Sequence, residues 1–239
     1  MFLITMAGQS SRFFREGYTS PKFMLPLWGE TVFDLSIKSF SNYFSTEDFV
    51  FVIKKSELIS EFVKYRCSEL GILNFTLVEL DHDTEGQAET AYLALKTIEK
   101  DSPIIIFNID TFRYNYIKPS FVENCDGYLE VFRGVGVNWS FIAIDEMGKV
   151  TKTTEKEPIS NLCSDGLYYF KCKSEFIKFF EKIRCNNDKT KGEFYIAPMY
   201  NYLIIENYCI TYDLIEMHQI DFCGTPDEYE ALVARGPLA

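Results

Sequence analysis

The sequence predicts an α/β fold with a mixed, mostly parallel central sheet flanked by helices. Three observations carry that reading. Short apolar runs at residues 1–6, 49–53, 75–80 and 103–107 have the length of buried strands. Stretches with apolar residues at helical spacing separate them, an alternation that gives parallel strands with helices on both faces. The first and fourth runs break into loops of small and polar residues, Ala7-Gly8-Gln9-Ser10-Ser11 and Asn108-Ile109-Asp110, and ligands in such sheets sit outside the carboxyl ends of the strands.

Taken in order, the first strand leads into a loop where Gly8 beside two serines lets backbone N–H groups turn towards a polyanion. Arg12 and Lys22, the latter after Pro21, add cations. Neither the Gly-x-x-x-x-Gly-Lys-Ser/Thr loop nor the Gly-x-Gly-x-x-Gly fingerprint is present. A helix is expected over 31–44, a strand over 49–53, and a helix from the N-cap Ser56 to Glu69, stopped by Gly71. A third strand over 75–80, a helix over 87–100 and a fourth strand over 103–107 follow.

Beyond Asp110 the pattern changes to short aromatic strands over 127–132, 140–144, 149–153 and 166–170, expected to form a small antiparallel sheet on the acceptor side. Helices are expected over 174–182 and 193–205, with a polar loop over 186–191 between them. A strand over 208–215 and a terminal helix from Asp227 complete the chain, and residues 235–239 are given no role. The whole chain, 1–239, reads as one domain, with the change of pattern after residue 111 dividing it into 1–111 and 112–239.

Composition narrows the function. The 239 residues are 47% hydrophobic and 25% charged, with 22 Phe and 15 Tyr, so the chain has material for a substantial core and is neither disordered nor low in complexity. A formal net charge of −11 opposes extended contact with nucleic acid, although a few local cations and a divalent metal can reverse the potential inside one cleft. The longest apolar segments fall well short of a membrane span, and no targeting segment precedes the first strand, so a cytoplasmic protein is expected. Seven cysteines without a C-x-x-C pair read as small, reduced core residues.

These segments together resemble the nucleotidyltransferases that activate sugar phosphates and related phosphomonoesters, enzymes of the nucleotide-diphospho-sugar transferase, Rossmann-like fold. The resemblance covers nearly the whole chain, its pieces in the family's order. They are the loop from Ala7 to Lys22, Glu85-Gly86-Gln87-Ala88-Glu89-Thr90-Ala91, Asn108-Ile109-Asp110, Glu155-Lys156, Gly166-Leu167-Tyr168-Tyr169-Phe170, Gly192-Glu193-Phe194 and Asp221-Phe222-Cys223-Gly224-Thr225-Pro226. Two departures stand out. The first loop lacks the family's consecutive glycines, and two residues rather than one separate Asp221 from Gly224.

The resemblance implies CTP as donor and a phosphorylated small molecule as acceptor, with residues 1–111 mainly nucleotide-binding and residues 112–239 mainly acceptor-binding, and with no nucleic-acid or membrane partner. It implies Ala7, Gly8, Gln9, Ser10, Ser11, Asp81, Gly86, Gln87 and Ala88 as nucleotide contacts, and Arg12, Lys22 and Lys156 as the catalytic cations. Glu155, Lys156, Gly166 and Glu193 would hold the acceptor, and Asp110 and Asp221 a Mg²⁺ ion, with Mn²⁺ as the alternative. Chemistry agrees with these residue types. An arginine fork binds phosphate oxygens in pairs, and Mg²⁺ takes one or two carboxylates plus phosphate oxygens. A phosphomonoester is already largely dianionic at neutral pH, so no general base is required, which suits a chain with only two histidines, His82 and His218.

The carboxylates Asp81, Asp83 and Glu85 are either acceptors for a cytosine amino group or a solvated loop. A sugar-1-phosphate nucleotidyltransferase, with Glu193 and the tyrosines around Tyr168 on sugar hydroxyls, is the nearest alternative. A nucleotide-sensing module is a further one. A metal-dependent glycosyltransferase of similar fold is disfavoured, because Asn108 stands where a D-x-D motif needs its first aspartate.

Overall fold

A computed structural model describes residues 1–237. In chain order the first half comprises β1 (Phe2–Thr5), α1 (Ser11–Arg15), β2 (Pro26–Leu27), β3 (Glu30–Thr31), α2 (Val32–Lys38), β4 (Phe49–Lys54), α3 (Glu57–Leu70), β5 (Phe75–Leu80), α4 (Gln87–Leu95) and β6 (Ile104–Asn108). The second half comprises β7 (Thr111–Arg113), β8 (Gly127–Arg133), β9 (Ser140–Ile144), β10 (Val150–Glu155), β11 (Leu162–Phe170), α5 (Lys173–Asn186), α6 (Tyr200–Ile205), β12 (Ile210–Ile215), β13 (Ile220–Phe222) and α7 (Pro226–Arg235).

Nine strands form one sheet. Parallel pairing joins β6, β1, β4 and β5 in that spatial order, while β11 enters antiparallel beside β6 and carries β8 on its far edge. β12 runs parallel to β8, and the β9–β10 hairpin branches from the start of β11 through Cys163 and Phe141. The expected antiparallel strands are thus continuous with the parallel part. A separate two-stranded antiparallel ladder pairs β7 with β13.

Alternation along the strands divides the core between the two faces. Leu3, Val50, Val52, Ile104 and Ile106 pack under α4, α5 and α6, whereas Phe2, Ile4, Phe49, Phe51, Ile105 and Phe107 pack under α2 and α3. All eleven are essentially buried, which is why these strands read as continuous apolar runs. Each such side chain contributes about 1.5 to 3 kcal/mol on leaving water.

Capping explains which helix ends the sequence announces. Ser56 Oγ accepts the Ile59 N–H, and Gly71 takes a left-handed conformation at the far end of α3. Three helices differ from expectation. The segment 31–44 breaks into α2 and a 3₁₀ turn at Ser41–Tyr43, and α4 stops at Leu95, not residue 100. The helix expected from Glu193 starts only at Tyr200, after a 3₁₀ turn containing Pro198. There the Phe194 N–H donates to the Glu85 carbonyl at 2.6 Å and the Phe194 carbonyl accepts the Ala88 N–H at 3.1 Å, so extended backbone docked on α4 takes precedence over helix.

Four cysteines are buried, Cys172 is half-buried, and Cys185 and Cys209 are exposed; all seven are free. Arg235, given no role from sequence, closes α7 and holds Asp221 through two hydrogen bonds; Leu238 and Ala239 lie outside the described residues. No helix among the described residues is long and apolar enough to cross a membrane.

Candidate active site

Two adjoining cavities of about 800 Å³ and 550 Å³ open at the carboxyl ends of β1 and β6. The smaller is lined by Ala7, Gly8 and Gln9 of the first loop and by Gly86 at the start of α4. The larger is lined by Glu155 and Lys156 at the end of β10 and by Gly166 of β11. Both share Ser10, Ser11, Lys22, Gln87, Asp110 and Tyr195. Each cavity draws on both halves of the chain: Arg12 and Phe13 line the larger, and Glu193 lines the smaller.

The first loop is a closed turn. Ser10 adopts a left-handed backbone, φ 50°, and its Oγ accepts the Lys22 N–H at 3.2 Å, bringing residues 10 and 22 together. Lys22 then reaches Asp110, with Nζ 2.5 Å from Oδ2. Gln87 Nε2 donates to Asn108 Oδ1 at 2.5 Å and to Thr5 Oγ1 at 3.3 Å, fixing α4 to the ends of β1 and β6. Gly86 is required where it stands. Its φ is +127°, and a Cβ would lie 2.5 Å from the Phe194 carbonyl oxygen.

On the larger side, an irregularity in β11 between Ser164 and Tyr168 turns Gly166 onto Asn108, where a Cβ would meet Asn108 Nδ2 at 2.3 Å. Glu155 is buried, and that burial pushes its carboxyl up from the usual range although Ser140 Oγ donates to it. Lys156 follows with φ 56° and donates through Nζ to the Tyr195 hydroxyl. Trp139 and Phe222 form an aromatic wall, their ring centroids 4.6 Å apart.

Not every expected residue comes to the site. Asp81 projects to solvent, 78% exposed, and pairs with the neighbouring His82; of the three carboxylates weighed for the base, Asp83 alone lines a cavity, held by Gln9 and Lys54. Ala88 is buried within α4 and its N–H is taken by Phe194, so it supports the segment from behind. Glu193, expected on the acceptor, lies instead along the smaller cavity, because the Thr190–Glu193 bridge and the Phe194 docking hold it beside Gly86. Arg12 lines only the larger cavity.

Asp221 is the clearest correction. It lines neither cavity: its oxygens accept from Arg235 Nη1 at 2.7 Å, Arg235 Nη2 at 2.5 Å and the Tyr114 hydroxyl at 2.5 Å. Adjacent residues of β13 face opposite ways, so Phe222 points to the cavity and Asp221 away. Among the described residues no group of three or more His, Cys, Asp or Glu is placed to hold a metal. Asp110 offers a carboxylate on the floor shared by both cavities, and a carboxylate completed by phosphate oxygens is a donor set that Mg²⁺ accepts. Gly224 keeps room for that carboxylate, since a Cβ there would stand 3.0 Å from Asp110 Oδ2.

Nothing in the sequence marks Tyr195, Trp139 or Phe222 as lining a site, although Phe222 stands within the Asp221–Pro226 motif. Tyr195 directly follows the Gly192-Glu193-Phe194 motif, and Trp139 is one of only two tryptophans, but neither position alone signals a cavity wall.

Comparison of the sequence with family models and with curated proteins gave no match. Among solved structures, the nucleoside-diphosphate-sugar pyrophosphorylase from Vibrio cholerae RC9 is 43% identical, covering 98% of this chain and 100% of its own, with a TM-score of 0.94. The inositol-1-phosphate CTP transferase from T. maritima is 13% identical, covering 100% and 97%, with a TM-score of 0.73. A UDP-glucose pyrophosphorylase complexed with UDP-glucose is 16% identical, covering 98% and 97%, also at 0.73. The last two share the fold.

Proposed function

The chain belongs to the nucleoside-diphosphate-sugar pyrophosphorylase family of nucleotidyltransferases, and from that premise we propose that it transfers CMP from CTP to a phosphorylated small molecule and releases pyrophosphate. One observation carries the reading furthest. In a chain of net charge −11, Arg12 and Lys156 line the larger cavity and make no ion pair among the described residues. Uncompensated cations in a cleft call for an anionic ligand.

In this reading the donor's nucleoside lies along Ala7, Gly8, Gln9, Gly86 and Gln87, with its phosphates directed to the shared floor between the cavities. Lys22 meets the α-phosphate, Arg12 the departing pyrophosphate and Lys156 the acceptor phosphate. An acceptor oxygen attacks the α-phosphorus in line, the bond to the β-phosphate oxygen breaks, and pyrophosphate leaves. Alignment and charge neutralisation supply the catalysis. His82 and His218 line neither cavity, consistent with an attacking phosphate that needs no base. Asp110 would hold Mg²⁺ or Mn²⁺, which neutralises charge on the phosphates when bound.

Asp83 supports cytosine, because its carboxylate at the rim of the smaller cavity can accept from the N4 amino group, where uracil presents an oxygen. For the acceptor we assign glutamine phosphate, giving CDP-glutamine for capsular phosphoramidate synthesis. That assignment rests on whole-chain likeness to CTP:phosphoglutamine cytidylyltransferases. The name of the 43% identical neighbour favours a second reading, a sugar 1-phosphate as acceptor.

Pyrophosphate release measured with the four ribonucleoside triphosphates and dTTP, each against glutamine phosphate and a panel of sugar 1-phosphates, decides between them. Release confined to CTP with glutamine phosphate is expected. Preference for a sugar 1-phosphate would establish the second reading, and no release with any pair would overturn both.

A further inference from the structure

Lys156 occupies a backbone conformation that L-residues avoid. Its φ of 56° lies in the left-handed region and persists only where the surroundings hold it. Two contacts do so. The Lys156 N–H donates to the Trp139 carbonyl at 2.8 Å, and its Nζ donates to the Tyr195 hydroxyl while lying 4.4 Å from that ring's centroid.

Tyr195 is itself anchored from the nucleotide side. Phe194, one residue earlier, is clamped to Glu85 and Ala88 through both of its backbone polar groups. The phenol lines both cavities and therefore stands where donor and acceptor spaces meet.

We propose that Tyr195 is a positioning residue for acceptor transfer, fixing the Lys156 ammonium at the boundary of the two cavities, an inference that rests on the reading of Lys156 as the acceptor-phosphate ligand. The choice of a phenol has a physical reason. A carboxylate there would hold the lysine equally well but cancel its charge, whereas a neutral oxygen fixes it and leaves the full positive charge for phosphate. The ammonium has three donors, so one is spent on Tyr195 and two remain. Burial first, then Glu193, raises the phenol's pKa, which keeps it neutral through the working range.

The test compares Tyr195→Phe, Lys156→Ala and the double variant. Kinetics are run with glutamine phosphate and with glucose 1-phosphate, CTP binding is followed by calorimetry, and inorganic phosphate is titrated into the CTP-bound protein as a probe of the acceptor end. Tyr195→Phe keeps the ring beside the cation and removes the oxygen. Its acceptor kcat/KM and its phosphate affinity should each fall about tenfold, with CTP Kd and Tm near the parent's. In the Lys156→Ala background the same change should have no further effect, which a merely structural role would not produce.

Parent-like behaviour of Tyr195→Phe, an equal penalty in both backgrounds, or a loss confined to CTP Kd would each overturn the proposal. If Lys156→Ala leaves acceptor kinetics and phosphate binding unchanged, the acceptor assignment itself is wrong. That failure is separable from one in which Lys156→Ala behaves as expected and Tyr195→Phe does not.

Discussion

The Lys22 ammonium lies 2.5 Å from Asp110 Oδ2, an ion pair that ties the first loop to the end of β6 on the floor shared by both cavities. Both side chains are only partly exposed, at 20% and 24%. Each group answers the other's charge. A nucleotide and a cation would replace that pairing, Lys22 turning to phosphate and Asp110 to the metal. The same contact preorganises both groups for their proposed partners.

Asp110→Asn removes the cavity carboxylate proposed to hold the metal. Turnover should fall by about two to four orders of magnitude, corresponding to several kcal/mol of lost charge stabilisation. Stability should change little, because a partly exposed pair is worth roughly 0 to 1 kcal/mol. Pyrophosphate release and a melting curve measure the two effects; near-parent turnover would remove Asp110 from the metal site.

Arg12→Lys retains the charge but loses the planar fork that grips two phosphate oxygens. A loss of about tenfold to a hundredfold in kcat/KM for CTP is expected, in line with one charge-assisted hydrogen bond. Parent-like kinetics would show that Arg12 acts as a general positive charge and not as a bidentate clamp.

Asp221→Ala should behave in the opposite way to Asp110→Asn. Asp221 binds Arg235 and Tyr114 away from the cavity, so its loss should lower stability by about 1 to 3 kcal/mol and Tm by several degrees, leaving turnover within about threefold below that transition. A collapse of turnover at unchanged Tm would restore Asp221 to the metal site.

This reversal shows where the sequence is readable and where it is not. β4 and β6 announce themselves because both faces are buried, and α3 because Ser56 and Gly71 mark its ends. The cations of the site were legible as residue types following strands. The side an individual residue faces was not. In β13 a shift of one position exchanges Asp221 for Phe222 in the cavity, a parity set by pairing with β7, more than a hundred residues earlier. Likewise residues 193–199 have helix-compatible composition, but the Phe194 contacts that keep an α-helix from starting at Glu193 come from Glu85 and Ala88, which no local pattern reveals. Tyr195 enters the site through that same docking.

Gly224→Ala tests whether the space beside Asp110 matters more than the loop's freedom. Gly224 does not adopt a positive φ, so alanine imposes no backbone strain. Its methyl group would stand 3.0 Å from Asp110 Oδ2 and 3.5 Å from Glu228 Oε2. Glu228 Oε2 is tied to the Gly224 and Thr225 N–H groups at 2.8 and 2.9 Å as part of the cap of α7, leaving the Asp110 carboxylate as the group that must move. Turning it by a few tenths of an ångström disturbs both the Lys22 contact and the proposed cation position. Misplacement on that scale reduces positioning catalysis without unfolding the protein. The variant should keep the parent Tm within about 2 °C, lose about tenfold or more in turnover, and need more Mg²⁺ for half-maximal activity. If turnover and Mg²⁺ dependence both match the parent, the Asp110 carboxylate is not confined by Gly224, and its proposed role as metal ligand loses its steric support.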